Sequence, residues 1–367
     1  MILEYIEPAI AAEHSSLVVS HIVHGFRSNP FSSRSRDITS EKSKSGSCNI
    51  NVACPEGHGK TDMISSIALL INGKGDSFCT GTMINNALRD GRQLFLTADH
   101  CLSSDAKVSN FIAGFGYQMR YCKSSLEFMP NTKTVHGMKL LGRAKETDYA
   151  LLEVVESIPD AWDVYLAGWD AAAANSRVGG FFGLHHPNGD VKKVSLYSGT
   201  LDLVRLTEIG AGVNFWRVSK WASGVTEPGS SGSALFDSQG YVIGHLYGGD
   251  SSCSRPDGPD YYGSLAKDWS LTRNPIKSFL DPKGWDITKV KGEYLKNLRT
   301  TDESESQSES EVVEGPASNP TDATITTVTA TVTDTITNIS TLFKETKLKL
   351  KSLDLPLPLP LSLAPKQ

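Results

Sequence analysis

Three short blocks supply a histidine, an aspartate and a serine in that chain order: Leu96-Thr-Ala-Asp-His-Cys101, Thr147-Asp-Tyr-Ala-Leu-Leu152 and Glu227-Pro-Gly-Ser-Ser-Gly-Ser233. A serine hydroxyl attacks carbonyls poorly until a base takes its proton and a buried carboxylate orients that base, so the set, rather than any member, points to acyl transfer. The order also discriminates, because α/β-hydrolases run Ser, acid, His and subtilisins run Asp, His, Ser. His100 ends the apolar Leu94-Phe-Leu run, where a fixed imidazole can act as general base. Asp148 opens the apolar Tyr149-Ala-Leu-Leu152 and needs a partner, since an unpaired buried carboxylate is costly; His100 is the evident one. Ser231 stands between glycines that allow a tight backbone, which would aim the N–H groups of Gly229 and Ser231 at one oxyanion. A surface histidine, a turn aspartate and a Gly-Ser linker are the plainer readings. The linker reading fails because the segment runs directly into Ala234-Leu-Phe and Tyr241-Val-Ile-Gly.

The elements that must position these residues read as strands. Ile67–Ile71, Leu94–Thr97, Ala150–Val155, Val191–Leu196 and Val242–Leu246 are short β-type runs between turn residues. One late helix is expected over Thr272–Leu280, stopped by Asp281-Pro282. Residues 26–47 are dense in Ser, Arg and Lys and read as an exposed linker. Beyond residue 290 come an acidic serine-rich run, a threonine-rich run with a glycosylation sequon at Asn338, and Leu355-Pro-Leu-Pro-Leu-Pro-Leu361. None of these can bury a core, so a disordered tail is expected.

Hydrophobic content of 39% and a net charge of -5 fit a globular chain and argue against a nucleic-acid partner. No apolar run is long enough for a membrane anchor. The six cysteines, all between residues 48 and 253 and none in a CxxC pair, suggest disulfides and hence an oxidising, extracellular setting, with the pairing left open. Met1-Ile-Leu-Glu-Tyr-Ile-Glu7 conflicts with this, because its two acids do not suit an export signal; a truncated start is the expected explanation.

The blocks resemble the chymotrypsin-clan serine peptidases, and most closely the secreted lysyl endopeptidases. The resemblance covers residues 43–282 and rests on Ser45-Gly-Ser-Cys-Asn-Ile-Asn-Val-Ala-Cys-Pro55, Cys79-Thr-Gly-Thr-Met83, His185-His-Pro-Asn-Gly-Asp190, Gly224–Ser233 and Gly248-Gly-Asp-Ser-Ser-Cys253. It implies an all-β fold of two six-stranded antiparallel β-barrels dividing near residue 165, with a short C-terminal helix and the tail from 283 to 367. It implies His100 as base then acid, Asp148 as its orienter and Ser231 as the acylated nucleophile. It also implies the disulfides Cys48–Cys253, Cys54–Cys122 and Cys79–Cys101. Cofactors and metals are not expected, since the adjacent His185 and His186 would point to opposite faces of a strand.

Specificity is a separate matter. Trypsin-like enzymes carry a pocket aspartate six residues before the nucleophile, where this chain has Val225. A lysine ammonium in a dry pocket must meet a carboxylate, and the resemblance implies Asp260, from a loop later in the chain, with Asp250 and Asp257 as competitors. Tyr247 and Gly248 would lie along the substrate. Aligning Cys48 with the family's first cysteine implies a pro-segment of residues 1–42 and a mature start at Ser43, after Lys42, which a lysine-specific enzyme could cut itself. The residue before the nucleophile is Ser230 rather than the aspartate that receives a new amino terminus in trypsin-like zymogens, so control by pro-segment occlusion is expected. The resulting expectation is a secreted, monomeric lysine-specific endopeptidase acting on peptides. Broader Lys/Arg cleavage and an inactive binding module are the alternatives.

Overall fold

Between Ile67 and Val154 the apolar runs are short, dense and punctuated by Gly, Asn and Asp, a pattern that forms strands buried on both faces. In the computed structural model they form one antiparallel sheet: β1 Ile67–Ile71, β2 Ser77–Ile84, β3 Leu94–Ala98, β4 Ile112–Phe115, β5 Lys133–His136, β6 Met138–Ala144 and β7 Tyr149–Val154. The order across the sheet is β5-β4-β1-β2-β3-β7-β6. Its two edges are consecutive strands separated only by Gly137, whose φ of +80° suits glycine. Gly137 donates to Phe111 O at 2.9 Å and accepts from Val155 N at 3.0 Å, so this one residue ties both edges together and curls the sheet round. Residues 45–73, 75–102, 107–123, 132–207 and 214–299 are described, with the backbone of residues 2–4 and 349–351.

The second lobe is a closed six-stranded antiparallel barrel of β8 Ser176–His185, β9 Lys193–Arg205, β10 Asn214–Val218, β11 Ala234–Asp237, β12 Val242–Gly249 and β13 Asp260–Ser264. Pairing runs β11-β8-β9-β10-β13-β12 and returns from β12 to β11. The alternation inside each strand divides its side chains between two cores. Ala68, Leu70, Met83, Phe95, Ala150 and Leu152 fill the first lobe, while Ile67, Leu94, Leu96 and Leu151 pack with Phe182, Leu184, Val194 and Phe236 of the second. The seam between the lobes is therefore continuous hydrophobic core, and the loops along it are held from both sides. No helix among the described residues is long and apolar enough to cross a membrane.

Two expectations are corrected. The helix expected over Thr272–Leu280 starts only at Lys277 and ends at Leu280, before Asp281-Pro282, because Asn274 takes a left-handed conformation (φ 50°) before Pro275; a second short helix, Leu265–Trp269, lies upstream. The folded chain also does not stop at Pro282: Lys289–Val290 pairs antiparallel with Trp169–Asp170, and Leu295 and Leu298 are buried in the first lobe's core. Leucines spaced three apart carry that segment back onto the surface, a signal the nearby polar composition obscures. Apart from the backbone of Lys349–Lys351, the tail from residue 300, with the sequon at Asn338 and the Leu-Pro repeat, lies outside the described residues, as does Lys42. A separate unit, residues 1–24 with 312–367, contributes one described feature, an antiparallel pair of Ile2–Glu4 with Lys349–Lys351.

The three disulfides are Cys48–Cys253, Cys54–Cys122 and Cys79–Cys101, the pairings the resemblance implies. The first spans 205 residues and the second 68, so both constrain long loops of the unfolded chain.

Candidate active site

His100 sits in a single 3-10 turn, Asp99–Cys101, at the end of β3. Three ties hold that turn. Cys101 is bonded to Cys79 of β2; Asp99 N donates to Asp148 O at 2.7 Å; and the Arg143 guanidinium of β6 grips the Asp99 carboxylate and donates to Leu102 O at 3.2 Å. The Asp99 carboxylate in turn raises the Arg143 pKa. Asp148 ends the turn before β7 in a left-handed conformation (φ 61°), uncommon for a residue with a side chain. Its buried carboxylate accepts from both parts of His100: the backbone N at Oδ1, 2.9 Å, and ring Nδ1 at Oδ2, 2.8 Å. With Nδ1–H given to the carboxylate, Nε2 keeps the lone pair and can take a proton. The His100 side chain is 39% exposed, so that nitrogen is reachable, while Asp148 at 5% is not.

Ser231 arrives from the second lobe on the turn before β11. Its carbonyl accepts from Thr80 N of β2 at 2.9 Å, one residue from the disulfide that pins His100. The next residue, Gly232, presses on the end of β3: a Cβ there would stand 2.2 Å from Thr97 Oγ1 and 2.7 Å from Ala98 N. Gly232 N donates to Leu246 O at 2.8 Å, and the following Tyr247 ring stands edge-on to His100 at 5.9 Å. The serine is thus tied to strands and rings that flank the histidine on two sides. Gly229 takes φ 91°, and a Cβ there would be 3.0 Å from His186 O, so the turn requires glycine. Among the described residues, no backbone acceptor takes the N–H of Gly229 or of Ser231.

The three aspartates considered for the pocket separate clearly. Asp250 is exposed and pairs with Arg255, and Asp257 is exposed. Asp260 is wholly buried, and its Oδ2 accepts from Trp221 Nε1 at 2.6 Å, Thr226 Oγ1 at 2.8 Å and Ser251 Oγ at 2.6 Å. Its Oδ1 has no hydrogen-bond partner. Desolvation pushes the Asp260 pKa up, against the pull of the three side-chain donors and of the Ser251 backbone. Gly248 and Gly249 run antiparallel to Asp260 and Tyr261, and a Cβ at Gly249 would meet Asp260 Oδ1 at 2.3 Å. Val225 is buried beside this group and carries no charge.

His185 and His186 are both buried but do not converge. His185 bonds Ser230 Oγ and Ser195 Oγ, whereas His186 Nδ1 donates to Asp190 O at 2.9 Å. Cys79, His100 and Cys101 have ligand atoms within 4.8 Å of one another, but both sulfurs are spent in the disulfide. Two buried groups escaped the sequence reading. His245 Nε2 donates to Asp268 Oδ2 at 2.9 Å with both side chains fully enclosed, directly behind the Thr147–Asp148 turn. Lys192 is buried with no carboxylate partner among the described residues and donates to Ile64 O at 2.6 Å; burial lowers its pKa to about 7. A histidine or lysine in an otherwise apolar strand was the available signal, and alone it does not distinguish inside from outside.

Comparison with known proteins places this geometry in context. The sequence model of a family described as the C-terminal domain of lysyl endopeptidase matches residues 42–263. A lysyl endopeptidase of Pseudomonas aeruginosa is 32% identical over 238 residues, covering 60% of this chain and 50% of that protein. The chain thus spans about half the length of the curated relative it matches. Similar solved structures include an HtrA-type protease AlgW with tripeptide (16% identity, TM-score 0.42, 63% of this chain, 65% of that one). Another is the serine endoprotease from Yersinia pestis (15% identity, TM-score 0.40, 62% and 68%).

Proposed function

The chain belongs to the lysyl endopeptidase C-terminal domain family, and from that premise we propose that it is a serine endopeptidase cleaving on the carboxyl side of lysine. Ser231 Oγ attacks the scissile carbonyl as His100 Nε2 removes its proton, and the N–H groups of Gly229 and Ser231 receive the oxyanion. The imidazolium, stabilised by Asp148, then protonates the leaving amine. Water resolves the acyl-enzyme by the same steps in reverse, and no cofactor takes part.

The observation that carries the lysine preference is the orphaned, buried Oδ1 of Asp260. A carboxylate oxygen without a partner in a dry site is costly until a cation reaches it. Because Oδ2 is already filled by three donors, one oxygen is left, which suits the point charge of an ammonium better than the two-pronged guanidinium fork of arginine. Tyr247 and Gly248 line the way along β12. The three cystines support an oxidising, extracellular setting.

Mass mapping of the peptides released from a plain protein substrate tests the reading. Fragments ending in lysine are expected. Equal cleavage after arginine would remove the lysine claim, and no cleavage together with no labelling by a serine-directed phosphonate would leave a binding module instead. For maturation, a Ser231→Ala form produced alone is expected to remain uncut after Lys42; cutting there would exclude self-processing.

A further inference from the structure

The residue before the nucleophile is a serine, so no acidic side chain stands there to anchor the turn. Ser230 is nevertheless wholly buried, and its hydroxyl enters a chain of hydrogen bonds that begins and ends on the same loop. Glu227 N donates to Ser230 Oγ at 3.2 Å, and Ser230 Oγ lies 2.8 Å from His185 Nδ1. On the other side of the ring, His185 Nε2 lies 3.0 Å from Ser195 Oγ, which donates to Val225 O at 2.8 Å.

One assignment of the protons satisfies every group in this chain. A carbonyl can only accept, so the one Ser195 hydrogen goes to Val225 O. Ser195 Oγ must then accept from His185, which places the ring proton on Nε2. His185 Nδ1 is left as an acceptor and takes the Ser230 hydrogen, and the Ser230 lone pair takes the Glu227 N–H. The sequence of donors is Glu227 N–H, Ser230 O–H, His185 Nε2–H, Ser195 O–H, ending at the Val225 carbonyl. Every member is satisfied, and a completed buried network of this kind is rigid.

We propose that His185, with Ser230 and Ser195, is a one-way hydrogen-bonded brace that holds the 225–231 loop in the shape that presents the Gly229 and Ser231 N–H groups. All three act as positioning residues for the reaction proposed above, on which the inference rests. Both ends of the brace are backbone groups of the loop, and its middle stands on two strands of the closed barrel, β8 and β9. The brace adds to the backbone bond from Thr80 N to Ser231 O and to the Glu227 carboxylate, which accepts from Gly46 N at 2.9 Å, and it uses no charged amino terminus. Burial supports a neutral ring, since it lowers the His185 pKa to about 3, and the brace persists wherever the imidazole is uncharged.

The test uses the full chain, with Ser230→Ala and Ser195→Ala each removing one hydroxyl of the brace and Ser238→Ala, on an exposed turn, as control. Three quantities are read: kcat and KM on a lysyl ester, affinity for a peptide aldehyde ending in lysine, and affinity for a simple alkylamine. The aldehyde forms an oxyanion on Ser231, whereas the amine makes none. Expected is a fall of roughly 10²-fold in kcat with a matching loss of aldehyde affinity, while KM and amine affinity hold. Unchanged kcat, or aldehyde and amine affinities falling by one common factor, would overturn the brace.

A measurement independent of activity is the ring tautomer of His185 by nitrogen NMR on the wild-type protein. The neutral Nε2–H form is expected from pH 5 to pH 8, and an Nδ1–H form or a titrating ring would overturn the proposal. A wild type inert to both ester and aldehyde would count against the peptidase reading instead, with the tautomer still deciding the brace.

Discussion

At the scale of single residues, Asp260 and Asp148 perform opposite tasks with the same side chain. Asp148 spends both oxygens on His100, whereas Asp260 keeps one oxygen bare. Asp148→Asn is expected to lower kcat by about 10⁴-fold, because the amide favours the wrong tautomer of His100, with little change in stability. Steady-state kinetics beside a melting curve checks it. Asp260→Asn is expected to lower kcat/KM on lysyl substrates by about 10²- to 10³-fold while phosphonate labelling of Ser231 persists. Loss of labelling as well would mean that Asp260 is structural. Since burial raises the Asp260 pKa, acidification protonates it above the ordinary carboxylate range and should release an alkylamine ligand there, an effect calorimetry across the acid range can follow.

At the scale of elements, the site depends on two turns being pressed together. Gly232→Ala would put a methyl into Thr97, Thr80 and Ala98 at a residue with φ 81°, so it is expected to abolish activity and lower the thermal midpoint. Behind the aspartate turn, the enclosed His245–Asp268 pair has no access to water. Removing one partner by His245→Ala strands a carboxylate there and is expected to cost about 3–5 kcal/mol in urea unfolding. A double replacement by well-packed apolar residues should recover much of that loss. The strands carrying these turns were legible because their residues are β-type runs bounded by turn formers. The late helix ends before Asp281-Pro282 as its sequence suggests, but it starts only at Lys277, because the left-handed Asn274 keeps the residues before Pro275 out of it.

For the whole molecule, the end of the domain and the response to pH are the open consequences. A chain ending at residue 282 loses Val290, Leu295 and Leu298 from buried positions and should be markedly less stable than one ending at 300, by denaturation of the two side by side. Lys192 binds its proton in the unfolded chain up to about pH 10.5 but in the folded chain only below about pH 7. The unfolded state therefore holds more protons between these values, and stability should fall as pH drops through that window. Lys192→Met is expected to flatten this slope; an unchanged slope would show the lysine to be charged when buried.

The sequence by itself determined the all-β class, the His-Asp-Ser order and the glycine turn around Ser231, because these depend on local periodicity and on residues adjacent in the chain. Its resemblance to a known family supplied the cysteine pairing. Only the tertiary structure decided which of three aspartates is buried, and that Ser230, His185 and Ser195 form one network. Burial and hydrogen bonding arise from contacts between residues as far apart as Val225 and Ser195, which no local pattern encodes.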